Sequence, residues 1–193
     1  MTKNNFWHDY YTKAISTAIY PNQGNSLLYP VLGLIGECSE ISNKVKKILR
    51  DDGGKITDQK IKEIGKETGD CLWYIANICR ETNISMQDTI GEAAIHYLSI
   101  LSSNNVKDIF DVCLAMQKPL CGISISAKRI KDSTQSDFLV HNGFLTNLRD
   151  ICILLIFLCS SLGLSFEMVG EQNIKNLLGR KKRNTLHGSG DNR

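Results

Sequence analysis

Two pairs of acidic side chains, each with its members three residues apart, are the strongest chemical feature of the sequence. Glu37 and Glu40 form the first pair, and Glu67 and Asp70 form the second. Residues three apart share one face of an α-helix, so each pair directs two carboxylates to one place. Like charges held together in a partly dry site either raise their pKa values or bind a cation. A site of carboxylates without Cys or His suits Mg²⁺ or Mn²⁺. The four charges could balance two such ions, or one ion could be bound together with phosphate ligands.

Each acid pair is followed on the same helix face by further polar residues. Lys44 and Lys47 follow the first pair, and Tyr74 and Asn77 follow the second. The lysines could bind phosphate or pair with the acids, and the tyrosine and amide could contact a nucleoside or bond within the core. The other faces are apolar, which predicts two mostly buried helices. Trp73 points to a different face and is expected in the core.

The hydrophobic pattern along the chain favours helices throughout, with no strand-like alternation, and therefore predicts an all-α helical bundle. Asp58 and Ser85 are the expected N-terminal caps of two helices. The predicted helices cover residues 9–20, 27–49, 58–82, 85–99, 106–117, 124–131, 138–162 and 165–178.

An internal repeat relates positions 80 apart and predicts a duplicated fold, a pseudo-dimer within one chain. Asp70 aligns with Asp150, but Glu67 aligns with Asn147, and residues 106–131 contain no glutamate. The second copy is therefore not expected to bind metal. We expect a helical half with the metal site at 1–100, a degenerate repeat packed on it at 101–179, and a basic, glycine-rich tail at 180–193.

Bulk composition favours an ordinary globular protein over nucleic-acid-binding or membrane classes. The 193 residues carry a net charge of only +3, too little to indicate nucleic acid. The uncharged run 151–166 is short for a bilayer span and predicts a buried helix. The 7 cysteines lack a C-x-x-C motif, which favours reduced thiols in the cytoplasm without disulfides or zinc. The N-terminus MTKNNFWHDYYTK has no signal-peptide apolar core.

The acid pairs and their surroundings resemble the MazG-like all-α nucleoside triphosphate pyrophosphohydrolases. GLIGECSEISNKVKK and KETGDCLWYIANI match the E-x-x-E and E-x-x-D signature of that family, and the tail RKKRNTLHGSGDNR is similar to that of its phage and bacterial members. The resemblance covers about 10–98 and 160–193, while 100–160 matches only as the degraded repeat.

This resemblance implies Mg²⁺-dependent hydrolysis of a nucleoside triphosphate at the α–β linkage, giving a monophosphate and pyrophosphate for nucleotide-pool housekeeping. It implies metal-binding and catalytic roles for Glu37, Glu40, Glu67 and Asp70. The sequence does not separate the four roles, and we take Glu40 as the acid nearest the attacking water. Arg180 and Arg183 of the tail would grip the triphosphate. Dimeric relatives build the bundle from two chains, so the second half is expected to replace a partner subunit. A further homodimer stays open.

One position departs from the family pattern, and several functions compete. Asn173 matches the start of an N-x-x-K-L motif, but Asn176 stands at its lysine, which weakens a phosphate role there. The alternatives are a dUTP- or dCTP-specific pyrophosphatase of the same superfamily, a non-catalytic nucleotide- or metal-sensing module, and a nucleic-acid-binding helical protein. The presence of both acid pairs favours an enzyme, because a sensor need not keep such costly acids.

Overall fold

The computed structural model describes residues 6–103, 106–132 and 138–186. Over these ranges the chain forms eight α-helices and no strand, which confirms the all-α prediction. The helices are α1 (Phe6–Ile15), α2 (Leu28–Asp51), α3 (Asp58–Thr82), α4 (Met86–Ser103), α5 (Ile109–Ala115), α6 (Gln117–Asp132), α7 (Phe138–Ser161) and α8 (Phe166–Lys182).

Helices α2 and α3 form the antiparallel hairpin that carries the acid pairs. Each helix buries an apolar stripe, so burial of this hairpin provides much of the core around the acids. Helix α3 begins after Thr57, whose backbone is extended and whose side-chain hydroxyl accepts the Lys60 N–H. Thr57 is therefore the cap, and the expectation that Asp58 is the cap was wrong. The helix ends at Asn83, which adopts the left-handed conformation at φ 56°.

The corner after α3 is repeated after α7, as expected for an internal duplication. Asn83 (φ 56°) and Gly163 (φ 69°) end the two helices in the left-handed region. The hydroxyls of Ser85 and Ser165 then accept the backbone N–H three residues later, capping α4 and α8. Both caps lie 80 residues apart, at the spacing predicted from the sequence.

The last helix of each copy packs on the other copy. Helix α4 lies mainly against α7, α8 lies against α3, and α1 contacts both α4 and α8. The two proposed halves are thus joined by reciprocal exchange, as two subunits would be in a symmetric dimer. The arrangement agrees with the expected pseudo-dimer.

Helices α5 and α6 together occupy the position in the second copy that α2 occupies in the first. The predicted break lay between 117 and 124, but the structure breaks between Ala115 and Gln117. Pro119 explains the difference, because it has no N–H to donate to the carbonyl of Ala115 four residues earlier. The proline then lies in the first turn of α6, where an N–H partner is not needed.

The apolar run in α7 is the centre of the core. Within it, Ile151, Leu155 and Leu158 are fully buried, which confirms the buried helix predicted there. By length and composition alone, Ile109–Ile130 and Asn142–Ser161 could each cross a membrane, but half of the latter window is already buried inside the protein. A core helix passes the same test, so these segments give little support to a membrane location. All seven cysteines are free.

Candidate metal centre

Three of the four predicted acids converge where α2 faces α3. Carboxylate oxygens of Glu37, Glu67 and Asp70 all lie within 4.8 Å of one another, and the described residues contain no other such group of His, Cys, Asp or Glu. Directly behind them, the Sγ atoms of Cys38 and Cys71 are 3.8 Å apart, so the helices approach closely. Small buried thiols permit this approach and bring the acids together.

Burial and mutual repulsion make this cluster costly to ionise. The pKa of Glu37 is raised from 4.5 to about 8, chiefly by burial and then by the charges of Asp70, Glu40 and Glu67. The pKa of Asp70 is raised from 3.8 to about 6, again chiefly by burial. A cation among the oxygens would remove both penalties, so the site is well suited to a divalent metal.

Two lysines partly compensate the charge. Lys44 Nζ lies 3.1 Å from Glu67, whose side chain is only 1% exposed. Lys66 Nζ lies 3.5 Å from Glu67 and 3.8 Å from Asp70. Their ammonium groups sit at the edge of the cluster, where phosphate oxygens approaching a bound metal would also meet them.

Helices α1 and α8 hold Asp70 from the far side. Asn173 Nδ2 donates to Asp70 Oδ1 at 2.9 Å, and the hydroxyl of Tyr10 donates to Asn173 Oδ1 at 2.9 Å. This contact requires Gly69, because a Cβ there would lie 2.9 Å from the Asn173 Cβ. Tyr10 and Asn173 are both buried, so the chain of hydrogen bonds fixes the orientation of the Asp70 carboxylate.

An aromatic cleft of about 400 Å³ opens beside Glu37 and Asp70. Its volume falls within the range of small-molecule sites. Arg180 and Leu186 line it from the C-terminal segment, and Lys181 ties that segment to α1 by donating to the Ser16 carbonyl at 2.6 Å. Its aromatic walls are Tyr20, Tyr29, Trp73 and Tyr74.

Close packing holds these rings in place. The Tyr20 and Tyr29 rings stack with centroids 4.6 Å apart. Trp73 Nε1 donates to Thr17 Oγ1 at 2.9 Å. A Cβ at Gly33 would lie 2.0 Å from the Tyr74 ring, so only glycine lets this ring lie against α2. The expectation that Trp73 belongs wholly to the core was wrong, since its half-buried ring forms part of the cleft wall.

The loop that carries Tyr20 and leads into α2, whose first turn holds Tyr29, is held in place by one buried carboxylate. Glu81, with a side chain 0% exposed, accepts the Tyr20 hydroxyl at 2.6 Å and the backbone N–H groups of Gly24 and Ser26 at 2.9 and 2.8 Å. Its pKa is lowered because these hydrogen bonds together outweigh burial, which acts in the opposite direction as the largest single cause. Glu81 therefore stays ionised and shapes the cleft.

The other predicted site residues lie at varied distances from the cluster. Glu40 is exposed one turn beyond Glu37 and is not among the converging oxygens, although its charge contributes to the raised Glu37 pKa. Lys47 is exposed and near Asp51. Asn77 is fully buried and donates to the Trp73 carbonyl at 2.8 Å. This is the hydrogen bond within the core that the sequence left open as the alternative to a nucleoside contact.

The tail is described only in part. Arg180 is half-buried at the cleft, whereas Arg183 is exposed and folds back on Gly179. The remaining tail residues, 187–193 with the GSGDNR motif, lie outside the described residues.

The second copy has closed the equivalent position. Asn147, the counterpart of Glu67, lies over Gly122, where a Cβ would approach its amide to 2.5 Å. Asn147 Nδ2 donates to the Gly143 carbonyl of its own helix at 2.6 Å. Asp150 remains, but it stands without the other acids within the described ranges. Among the residues that the structure describes, the first half alone offers a candidate metal site.

Sequence reasoning missed Tyr10 and Glu81 and assigned no contact to Asn173. No local spacing identifies Tyr10 or Asn173, because Asn173 meets Asp70, and Tyr10 meets Asn173, only where α8 packs on α3 and α1. One feature of the sequence could have identified Glu81. It is an acid at the C-terminus of a helix, where the helix dipole disfavours a negative charge unless that charge has hydrogen-bond or ionic partners.

Comparison with known proteins agrees with the geometry. The sequence model of the MazG nucleotide pyrophosphohydrolase domain matches residues 25–96, which contain all four acids. The chain is also 42% identical over 80 residues to the Gene 37 protein of Mycobacterium phage L5, a match that covers 39% of this chain and 70% of that protein. No solved structure matches. The acid pairs, the helical hairpin that joins them and these two matches show that the chain belongs to the MazG nucleotide pyrophosphohydrolase family.

Proposed function

We infer that the protein hydrolyses a nucleoside triphosphate, ribo- or deoxyribo-, at the α–β linkage with Mg²⁺ as cofactor and Mn²⁺ as a substitute. The observation that carries this proposal is the cluster of Glu37, Glu67 and Asp70 at the side of an aromatic cleft that also contains Arg180. Such a cleft offers a place for a base next to a place for phosphates.

The donor set fits a hard divalent ion. Glu37, Glu67 and Asp70 would hold it, and their oxygen-only chemistry and unfavourable ionisation without a cation both favour Mg²⁺ over zinc. When bound, the ion would neutralise phosphate charge and acidify water. Asn173 keeps Asp70 oriented toward the cluster.

The chain's own groups then have separate roles. Trp73 and Tyr74 stack on the base, since aromatic faces tolerate any base. Arg180 and Lys44 bind phosphate oxygens through charge-assisted hydrogen bonds. Glu40, exposed beside Glu37, accepts a hydrogen bond from the attacking water and receives its proton. Lys47, Asn77 and Arg183 lie apart from the cleft, and the proposal does not depend on them.

A panel of ribo- and deoxyribonucleoside triphosphates, incubated with Mg²⁺ in H₂¹⁸O, tests this function. We expect monophosphate and pyrophosphate as products, with the label in the monophosphate because water attacks the α-phosphorus. Release of inorganic phosphate would contradict the proposed linkage, and label in pyrophosphate would contradict attack at the α-phosphorus. Exclusive turnover of dUTP or dCTP would establish the specific alternative, and binding without turnover would establish the sensing module.

Without metal, the protein should lose stability as pH rises. The pKa values of Glu37 and Asp70 are raised from 4.5 to about 8 and from 3.8 to about 6, so the folded state holds more protons than the unfolded state between these values. The free energy of unfolding must therefore fall as pH rises from about 4.5 to 8. Urea unfolding in EDTA at several pH values measures this dependence. Glu37→Gln should flatten it, and saturating Mg²⁺ should remove it; equal dependence in Glu37→Gln would refute the assignment.

Asn173→Ala should weaken Mn²⁺ binding by about tenfold, the effect typical of removing a group that orients a metal ligand. Asn173→Asp also loses the donated hydrogen bond of 2.9 Å to Asp70, but its added negative charge attracts the cation, so it should weaken binding less than Asn173→Ala. Tyr10→Phe should change affinity less, since Asn173 still reaches Asp70. Isothermal titration calorimetry measures all three variants. Unchanged affinity in both Asn173 variants would show that the contact is structural only.

A further inference from the structure

A second cleft of about 470 Å³ lies between α3 and α8, on the other side of Asp70 from the aromatic cleft. The proposed function does not use it. Apolar side chains from both helices and from the turn before α8 form most of its surface, among them Ile61, Leu164 and Met168. Met168 is 67% exposed, so part of this apolar lining is open to solvent. This surface is suited to an apolar or aromatic group.

The two clefts share three residues. Asp70, Leu177 and Arg180 line both. A ligand whose phosphates lie on the acid cluster therefore has access to an organic-group site in each direction. A nucleoside triphosphate has only one organic end, so it can fill only one of the two.

Cations and amides surround the second cleft where a phosphate chain would enter it. Lys62 and Lys66 from α3 line this cleft together with Arg180 from α8. Gln172 and Asn176 add amide donors and acceptors one helical turn apart. The surface thus offers positive charge for phosphate, apolar area for a base and amide groups for the polar edge of that base. These are the contacts that a nucleotide needs.

We propose that the second cleft binds the far nucleoside of a substrate with a nucleoside at each end of its polyphosphate, the class of the dinucleoside polyphosphates. This inference rests on the proposed function, because it places the phosphates on the same acids. In the reaction, water bonds to an α-phosphorus and the bond from that phosphorus to its bridging oxygen breaks. Diadenosine tetraphosphate would give a monophosphate and a triphosphate, and the water proton leaves through the carboxylates to solvent.

The test compares diadenosine tetraphosphate with adenosine 5′-tetraphosphate. The two ligands share a phosphate count and differ in the second nucleoside. We expect calorimetry in Ca²⁺ to show about tenfold tighter binding of the two-ended ligand. Equal affinities would overturn the proposal. Because the comparison measures binding, it can fail while nucleoside triphosphates are still hydrolysed, and it can succeed if turnover is absent.

Two variants localise the effect. Gly65→Leu places a side chain in the second cleft, where a Cβ would meet only the flexible end of Leu164 at 3.1 Å, and should reduce the affinity ratio to about one. Met168→Ala removes an exposed apolar wall without burying anything new and should reduce the ratio about threefold. Trp73→Ala, in the aromatic cleft, should weaken both ligands and preserve the ratio. A ratio unchanged in both second-cleft variants would overturn the proposal.

Discussion

Asp70→Asn will reduce turnover of a nucleoside triphosphate by about a hundred- to a thousandfold, the range found when a preorganised charged group is removed from a reacting centre. Asp70 lies within 4.8 Å of Glu37 and Glu67 and also borders the cleft, so its charge acts on both metal and phosphate. Asparagine has nearly the same shape and can still bond Asn173 after rotation of its amide. The loss will therefore report charge rather than folding, and steady-state kinetics with Mg²⁺ measures it.

The duplication supplies a matched control. Asp150 occupies the equivalent position in the second copy, where Asn147 stands in place of a second acid. Asp150→Asn should leave kcat and KM within about twofold of the parent, because substitutions remote from a site rarely change its transition-state contacts. Equal losses in the two variants would mean that the acids act through stability, and the assignment of a single site in the first half would fall.

Glu81→Ala will destabilise the protein by about 3 kcal/mol, the expected effect of leaving buried donors without their charged acceptor. Tyr20 and the backbone of Gly24 and Ser26 would each lose a partner between 2.6 and 2.9 Å away. Chemical denaturation at neutral pH measures the change. Glu171→Ala, on the exposed face of α8, should change stability by less than about 0.5 kcal/mol.

Glu81→Ala should also raise KM for the nucleotide. Release of the loop displaces Tyr20 from the cleft and removes its stacking on Tyr29, so nucleotide affinity should fall even at temperatures where the variant remains folded. A Glu81→Ala protein with parental stability and parental KM would show that the loop is held by other contacts.

The convergence of Glu37, Glu67 and Asp70 was predictable because it depends on two local facts. Helical spacing places the acids of each pair on one face, and the apolar stripes require the two helices to pack together. Glu40 shows the limit of that argument. Residues three apart are about 60° away from each other around the helix axis, so one acid can point inward while its partner points to solvent.

The contacts from α8 and α1 were not predictable by the same means. Asn173 donates to Asp70, 103 residues away in the chain, and Tyr10 donates to Asn173, 163 residues away. Their placement follows from the exchange of α4 and α8 between the copies, which no periodicity encodes. Trp73 was misplaced for a related reason, since the loop bearing Tyr20 creates a cleft over a helix face that otherwise would be core.

The break between α5 and α6 shows that one residue can override a pattern. The sequence pattern predicted helices over 106–117 and 124–131 with a gap between them. The break lies instead between Ala115 and Gln117, because Pro119 has no N–H to donate to the Ala115 carbonyl. Covalent geometry at a single position was more informative there than hydrophobic spacing.

Because α4 and α8 each pack on the other half of the same chain, the activity should not depend on protein concentration. A site completed by a separate subunit would lose Asn173 and Arg180 whenever protein concentration fell below the dissociation constant of the dimer. Here both reach Asp70 from the same chain, and a tether of this kind provides an effective concentration on the order of millimolar regardless of how much protein is present. Specific activity should therefore be constant from nanomolar to micromolar enzyme.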